Sequence, residues 1–237
     1  MLSEKTTPDL SPPMLGLIAG LGVGAGIFYY RSLVDAHRVQ GLSPSLLMVH
    51  ANVQKVMSLA NARESHQLAE YLLGLLSHLA NGGAKVATIP AFSPQIAAEE
   101  LAARTPLPLI SLLDAIVDEV SRRRLGRVAV FGARVTMETG LFGRLQQVAD
   151  VVPLQANEID QVRGIYGEIV KNEKASPAER ETLQSMAHTL ISRENLDAIV
   201  LAGTDLSFVF DADNAGFPHV DGARTHIAAI MHRLTCP

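Results

Sequence analysis

The sequence predicts an α/β protein made of two like domains, each with a parallel sheet, that face each other across a cleft. Short β-branched apolar runs alternate with amphipathic helical segments along the chain. This alternation is typical of parallel sheets, because parallel strands need a crossover connection that is usually a helix. The two halves have similar β/α content, and 237 residues with 48% hydrophobic content can bury a substantial core. We therefore expect a ligand to bind in the cleft between the two domains, where small-molecule sites are common.

The first half of the chain predicts four strands, each followed by a helix. The strands are expected at 14–19, 45–50, 85–89 and 106–110, and the helices at 27–39, about 60–80, 94–103 and 111–124. A glycine-rich turn at 20–26 precedes the first helix, and a loop at 51–59 precedes the second. Asn81, Gly82 and Gly83 end the second helix with a C-cap signal.

The second half repeats the pattern. Strands are expected at 127–132, 151–154, 199–202 and 218–220, and helices at 137–150, 158–172, 178–194 and 222–234. A polar loop is expected at 211–217. We divide the chain into an N-terminal extension at 1–13, an N-terminal α/β domain at 14–112 plus 222–237, and a C-terminal α/β domain at 113–221.

Composition narrows the class of protein. A net charge of -4, from 20 basic and 24 acidic residues, gives no reason to expect nucleic acid or a membrane as partner. Cys236 is the only cysteine, so neither an internal disulfide nor a cysteine metal site can form, which fits a cytoplasmic protein. The apolar run 14–30 could suggest a membrane segment, but its five glycines favour a strand, a turn and a helix start.

The clearest candidate site follows the strand at 199–202. Gly203, Thr204 and Asp205 come directly after this run, at the carboxyl end of a strand, where ligands bind in open α/β sheets. Thr204 and Asp205 could bind a substrate amine or carboxylate, and Asp205 could act as a base. The alternative is that the pair caps the following turn.

The glycine-rich turn at 20–26 is a second candidate. Backbone N–H groups at a helix start can bind a carboxylate or a phosphate. Gly20, Gly22 and Ala25 also fit the dinucleotide pattern G-x-G-x-x-A, but the second strand ends at His50 where that pattern needs an acidic residue. Tight packing is the third explanation of these glycines.

Several motifs, in chain order, resemble those of the aspartate/glutamate racemase family. They are Ala19-Gly20-Leu21-Gly22, the turn Ala91-Phe92-Ser93-Pro94-Gln95, the element from Thr136 to Phe142, the segment Arg163-Gly-Ile-Tyr166, the turn Ala202-Gly203-Thr204-Asp205, and Pro218-His-Val-Asp221. The resemblance implies two Rossmann-like domains related by pseudo-two-fold symmetry, commonly paired into a homodimer. It also implies that a small carboxylic or amino acid binds between the domains and reacts without a cofactor.

The family uses two cysteines, and both are missing here. The first falls on Ala91 and the second on Gly203. In the family, one thiolate removes the α-proton while the other thiol returns a proton on the opposite face, and neither alanine nor glycine can do this. The resemblance therefore implies a cysteine-less site for which two-cysteine racemisation is not expected.

Further candidates come from the resemblance. Ser93 and Gln95 lie where the family has Thr and His, and Thr136 matches a residue near the substrate carboxylate, although Ser93 and Thr136 could equally cap helices. A substrate-binding cation of the family falls on Asp160, which could also form a surface ion pair with Arg163. The predicted substrate-binding residues are Gly20, Leu21, Gly22, Ala91, Phe92, Ser93, Gln95, Thr136, Asp160 and Gly203, and the predicted catalytic residues are Asp205, Thr204 and His219.

A second basic residue of the family falls near Met57 or Ser58, so we expect a weakened clamp for dicarboxylates. No metal site is predicted, because the one arguable set lacks a recognised ligand spacing; it consists of His219, Asp221 and His226 with Asp205, Asp211 and Asp213. Three functions stay open: an enzyme with non-thiol chemistry of isomerase, lyase or decarboxylase type, a catalytically silent ligand-binding homologue, and a conventional amino-acid racemase.

Overall fold

The computed structural model describes residues 12–236, so most of the predicted extension at 1–13 lies outside the described residues. The strands are β1 Leu15–Ala19, β2 Leu46–His50, β3 Val86–Thr88, β4 Leu109–Ile110, β5 Arg127–Gly132, β6 Asp150–Val151, β7 Ala198–Ala202 and β8 His219–Asp221. The α-helices are α1 Val23–Val39, α2 Val53–Asn61, α3 Ser65–Asn81, α4 Ala98–Arg104, α5 Leu112–Arg122, α6 Arg134–Thr139, α7 Ala156–Asn172, α8 Pro177–Glu194 and α9 Gly222–Thr235. Among these residues, no helix has both the length and the apolar character that a membrane crossing requires.

The strands form two four-stranded parallel sheets, as predicted. The first sheet has the order β2-β1-β3-β4 and the second the order β6-β5-β7-β8. Each half of the chain therefore repeats one arrangement, in which its first strand lies between its second and third. The predicted α/β class with two Rossmann-like domains related by pseudo-two-fold symmetry is confirmed.

The last helix returns to the first sheet. The apolar side chains of α9, including Ile227, Ile230 and Leu234, pack in one buried cluster with Leu17 of β1 and Leu33 of α1. By contrast, α5 packs its apolar face into the core of the second sheet. The division into residues 14–112 plus 222–237 and residues 113–221 stays a proposal, and this packing supports it.

The predicted loop at 51–59 is wrong, because most of it belongs to α2. The Asn52 side chain accepts a hydrogen bond from the Lys55 backbone N–H at 3.0 Å and so caps the start of this helix. Arg63 then adopts a left-handed conformation with φ 57°, which separates α2 from α3. The helix predicted at about 60–80 therefore corresponds to α3, and its first residues belong to the end of α2.

The predicted helix at 137–150 is also wrong. The helix α6 ends at Gly140 with φ 58°, and Leu141 and Phe142 have φ 61° and 58°. These three left-handed residues turn the chain before a short 3-10 helix at Leu145–Gln147. Other boundaries differ as well. The helix α1 starts at Val23 rather than 27, and a 3-10 helix at Ser93–Ala97 precedes α4. The strand predicted at 106–110 is shortened to Leu109–Ile110, and the strand predicted at 151–154 is Asp150–Val151.

Candidate active site between the two sheets

A cavity of about 530 Å³ lies between the two halves of the chain. Its walls come from the carboxyl ends of strands in both sheets and from α2 and α7. Six predicted site residues line it, namely Leu21, Ala91, Phe92, Ser93, Thr204 and Asp205. The volume suits a small organic molecule.

Asp205 is the buried acid of this cavity. It is 3% exposed and lies in a 3-10 helix, Thr204–Phe208, directly after β7. Its Oδ2 accepts long hydrogen bonds from the hydroxyls of Thr204 at 3.4 Å and Tyr166 at 3.5 Å. Its Oδ1 has no hydrogen-bond partner among the described residues. A buried carboxylate with one unpaired oxygen is costly, so the site favours a proton or a ligand at that atom.

Burial raises the pKa of Asp205 from 3.8 to about 6. The hydrogen bonds from Thr204 and Tyr166 act in the opposite direction, and the charge of Glu173 raises the pKa further. A carboxyl group with this pKa exchanges its proton near neutral pH, which is the property that a general acid or base needs.

Tyr166 lies over Gly203 and was missed as a site residue by the sequence analysis. A Cβ added to Gly203 would lie 2.5 Å from Cε2 and 2.7 Å from Cζ of Tyr166. The ring therefore occupies the space that a side chain at position 203 would need. The signal was present in the segment Arg163-Gly-Ile-Tyr166, but the approach of α7 to the turn after β7 is a tertiary contact that the sequence did not indicate.

On the other wall, the loop that contains Ala91 is fixed by two predicted residues. Gln95 is buried, and its Nε2 donates to the backbone oxygens of Ile89 at 3.2 Å and Ala91 at 2.9 Å. Phe92 packs into the core of the second sheet. It lies so close to Gly222 that a Cβ added to this glycine would be 2.7 Å from Cζ of Phe92. Gln95 thus positions the loop from behind, whereas Ser93 lines the cavity itself.

Three arginines line the cavity, namely Arg63, Arg134 and Arg163. None of them stands at the two positions where the family has its substrate-binding cations. Arg134 is paired with Glu138 at 2.9 Å and with Asp160, so Asp160 does not pair with Arg163 as the sequence suggested. Arg63 and Arg163 have no ion-pair partner within residues 12–236. The cavity wall therefore contains two arginines without an ion pair among the described residues, and the expected weakening of the clamp for dicarboxylates stays a prediction.

The structure does not bring every candidate to the cavity. Thr136 is fully buried and its Oγ1 donates to the Ala133 carbonyl at 2.7 Å, so it stabilises the start of α6. His219 begins β8 and pairs with Ile199, which places it toward the amino end of the sheet, away from Asp205. Its Nδ1 lies 3.1 Å from the Phe217 carbonyl.

The glycine-rich turn is explained in part by packing. Gly20 has φ +80°, and a Cβ there would lie 2.8 Å from the Ala51 oxygen; a Cβ on Gly24 would lie 2.8 Å from the Phe208 ring. Gly22 lies beside the acid, since a Cβ there would be 3.7 Å from both Asp205 oxygens. The start of α1 is therefore close to the Asp205 carboxylate, an arrangement that favours negative charge there.

The arguable metal set does not assemble. His226 is buried between the Tyr29 hydroxyl at 3.0 Å and the Thr88 hydroxyl at 2.9 Å, and Asp221 caps α9 and pairs with Arg224. Within residues 12–236, the side chains with metal-compatible spacing are His66, Glu70 and Glu100 at the surface. Arg104 pairs with both of these glutamates, so a cation already occupies that cluster.

Comparison with known proteins identifies the family. The model of the Asp/Glu/Hydantoin racemase family matches residues 18–230. The chain belongs to this family. The resemblance given by the sequence motifs is confirmed.

Solved structures agree on the fold of this racemase-family protein. A candidate Asp/Glu racemase from Yersinia pestis superposes with a TM-score of 0.82 and 22% identity, covering 94% of this chain and 99% of that one. An aspartate racemase homologue from Pyrococcus horikoshii gives 0.78 and 18%, covering 94% and 99%. A mutant arylmalonate decarboxylase gives 0.50 and 13%, covering 94% and 93%. At these identities the likeness shows the shared fold.

The raised pKa of Asp205 predicts a pH-dependent stability difference. Because the folded state binds this proton more tightly than the unfolded chain, the stabilisation is complete below about pH 4 and is lost as the pH rises through about 6. Asp205→Asn should therefore raise the free energy of unfolding at pH 8 by about 3 kcal/mol and change it little at pH 4. Urea unfolding at both pH values measures this, with Asp213→Asn as an exposed control. An equal effect of Asp205→Asn at both pH values would contradict the prediction.

The contact between Gly203 and Tyr166 predicts a strong coupling. Gly203→Ala should lower the free energy of unfolding by about 1–3 kcal/mol, because the new methyl group must displace the Tyr166 ring. In a Tyr166→Leu background the same change should cost much less. A double-mutant cycle in urea measures the coupling, and equal costs in both backgrounds would show that the ring does not occupy this space.

Proposed function

We propose that the protein is a cofactor-independent enzyme that moves a proton at the α-carbon of a small carboxylic or amino acid, with Asp205 as its acid–base group. The observation that supports this most is the buried carboxyl of Asp205, with one unpaired oxygen and a pKa near 6, beside a cavity of about 530 Å³. Asp205 takes the role that a thiol has in the two-cysteine members of the family. Thr204 and Tyr166 hold its other oxygen.

The proposed step is balanced at the α-carbon. The Asp205 carboxylate takes the α-proton, and the electron pair of the C–H bond moves into the substrate carboxylate, which an arginine of the cavity wall neutralises. The same carboxyl group then returns a proton: return to the α-carbon on the same face gives hydrogen exchange only, and return to a conjugated neighbouring carbon gives an isomer. In a decarboxylation, the C–C bond breaks instead, carbon dioxide leaves without the electron pair, and protonated Asp205 supplies the proton to carbon.

The chemistry is one-sided, because the opposite wall offers Ala91 and not a second acid. Two-base racemisation needs matched groups on both faces of the α-carbon. We therefore favour isomerase, lyase or decarboxylase chemistry, and the arylmalonate decarboxylase neighbour supports decarboxylation as one of these. The alternatives are a silent ligand-binding homologue and a conventional racemase.

Exchange of the α-hydrogen tests the proposal. Proton NMR in deuterated buffer, with D- and L-amino acids and malonate-like acids, should show exchange or product for at least one compound. Asp205→Asn should lower that rate at least about 100-fold, since it removes the acid–base group. Asp213→Asn, a change at an exposed carboxylate outside the cavity lining, is the matched control and should keep the rate within about threefold.

Ligand binding without exchange distinguishes the alternatives. A ligand-induced increase in melting temperature, with no exchange in either protein, would favour the silent homologue and contradict the enzyme proposal. Exchange that survives Asp205→Asn would assign the chemistry to another group.

We further propose that the protein forms a homodimer through β2 and the outer face of α1. The strand β2 is an edge of the first sheet, five residues long, and contains neither a charged residue nor proline. The other three edge strands in the described part of the chain, β4, β6 and β8, have only two or three residues each. Pro108 precedes β4, Asp150 begins β6, and Pro218 precedes β8. Proteins protect free edges in these ways, so the plain edge of β2 needs a partner.

The surface beside this edge is apolar. Val23, Ile27, Tyr30 and Met48 are 39–57% exposed, and they line a groove of about 300 Å³ between α1 and β2. A second copy offers the same edge and the same apolar face, so a two-fold axis can pair β2 with β2 and cover both grooves at once. This self-complementary arrangement accounts for the edge and the groove together.

A charge on the edge tests the dimer. Met48→Lys should convert the dimer to a monomer, because the new ammonium group would be buried against its symmetry mate. Val39→Lys, at an 84% exposed position at the end of α1, is the control and should leave the dimer intact. Analytical ultracentrifugation measures the mass. A monomeric parent protein, or a dimeric Met48→Lys variant, would contradict the proposal.

A further inference from the structure

Apolar side chains are exposed at the mouth of the cavity. Within residues 12–236, eight large hydrophobic side chains are more than a third exposed, and three of them line this cavity: Val53 at 40%, Met57 at 38% and Val170 at 37%. Val53 and Met57 lie one turn apart on α2, and Val170 lies on α7. We name these three residues the apolar rim. Clustered exposed apolar groups at a cleft mark a surface that a ligand covers.

The apolar rim continues into the cavity along one face of α2. Val53, Val56, Met57 and Ala60 all line the cavity, and their spacing of three and four residues places them in one stripe. The face ends at Asn61, which also lines the cavity, and the four apolar residues before it offer neither a charge nor a hydrogen-bonding side chain. A carboxylate placed against these four residues would lose hydration without gaining a partner, whereas an alkyl or aryl group would bury its surface there.

The arginines of the cavity can bind the carboxylate of the substrate, which the apolar stripe cannot. Arg134 is paired with Glu138 and Asp160, which leaves Arg63 and Arg163 as lining cations without an ion pair among the described residues. A substrate of the proposed reaction has a carboxylate next to its reacting carbon, and one such arginine can bind it. Asp205 and one arginine serve the reacting end of the substrate, and the stripe of α2 is the apolar wall that remains for its side group.

We propose that the substrate is a carboxylic or amino acid whose α-substituent is apolar, an alkyl or aryl group that packs against the α2 stripe and Val170. This inference rests on the proposed function, because it assigns the side group of the acid that reacts at Asp205. It separates this chain from enzymes that select a second carboxylate in the side group.

Two near-isosteric pairs of ligands test the side group alone. Leucine and aspartate differ by an isopropyl group in place of a carboxylate, and isovalerate and malonate differ in the same way without the amine. Titration calorimetry at pH 7 should show that, in each pair that binds, the apolar member binds at least about tenfold more tightly, as expected from burial of two to three methyl-sized groups. Tighter binding of aspartate or malonate, equal binding within each pair, or no binding of any of the four would overturn the inference.

Variants of the apolar rim supply the control. Met57→Gln and Val170→Thr keep the size of the side chains and add polar groups, so they should weaken the apolar ligand about three- to tenfold and leave its carboxylate counterpart unchanged. Val39→Thr makes the same chemical change at an exposed position that does not line the cavity, and should have no effect. An equal loss for both members of a pair would indicate general damage to the cavity and contradict the assigned contact.

Binding separates this inference from the proposed chemistry. The titrations are repeated with Asp205→Asn, which should keep the preference for the apolar member because the α2 stripe is unchanged. If the preference is present and no acid exchanges its α-hydrogen in the parent protein, the substrate class stands and the proton-transfer proposal fails. If exchange occurs only with aspartate or malonate-like dicarboxylates, the proton transfer stands and the substrate class fails.

Discussion

The parallel arrangement of both sheets is the constraint on which the site depends. In a parallel sheet every strand points the same way, so the loops that follow the strands gather at one edge. Here the two sheets repeat one strand order and turn these edges toward each other. Residues that are far apart in the chain, such as Leu21, Ala91 and Asp205, therefore line one cavity. The position of the cleft is thus set by the direction of the strands and does not depend on particular side chains.

Within that frame, the absence of a side chain at position 203 has a structural consequence. The Tyr166 ring uses the free space over Gly203, and its hydroxyl faces Asp205. Burial of the Tyr166 side chain raises its pKa well above 10. The phenol therefore stays protonated and donates its hydrogen bond to the carboxylate. The glycine at position 203 therefore makes room for the ring whose hydroxyl faces the buried acid.

The sequence predicted the fold and part of the site, and the physical reasons are specific. The run ending at Ala202 predicted β7, and its position before a polar turn predicted that Asp205 would lie at a strand end. The helix α2 was missed although its apolar residues have helical spacing, because the helix is short and its start depends on one capping side chain, that of Asn52. Tyr166 could not be predicted, because its role depends on the distance between α7 and the turn after β7. His219 follows a loop of uncertain length, so its place in the sheet register could not be fixed from sequence.

Specificity and acidity are linked in this site because both depend on desolvation. The pKa of Asp205 is raised mainly by burial, which means that water near the carboxyl is already scarce. An apolar side group seated on α2 would exclude more water from the same cavity and raise the pKa further, and it would strengthen the attraction between an arginine and the substrate carboxylate. A dicarboxylate would keep water in the cavity and weaken that attraction, and its second negative charge would act on the pKa of Asp205 by repulsion and not by desolvation. The α2 stripe therefore selects the side group of the substrate and helps to set the proton affinity of the carboxyl that acts on it.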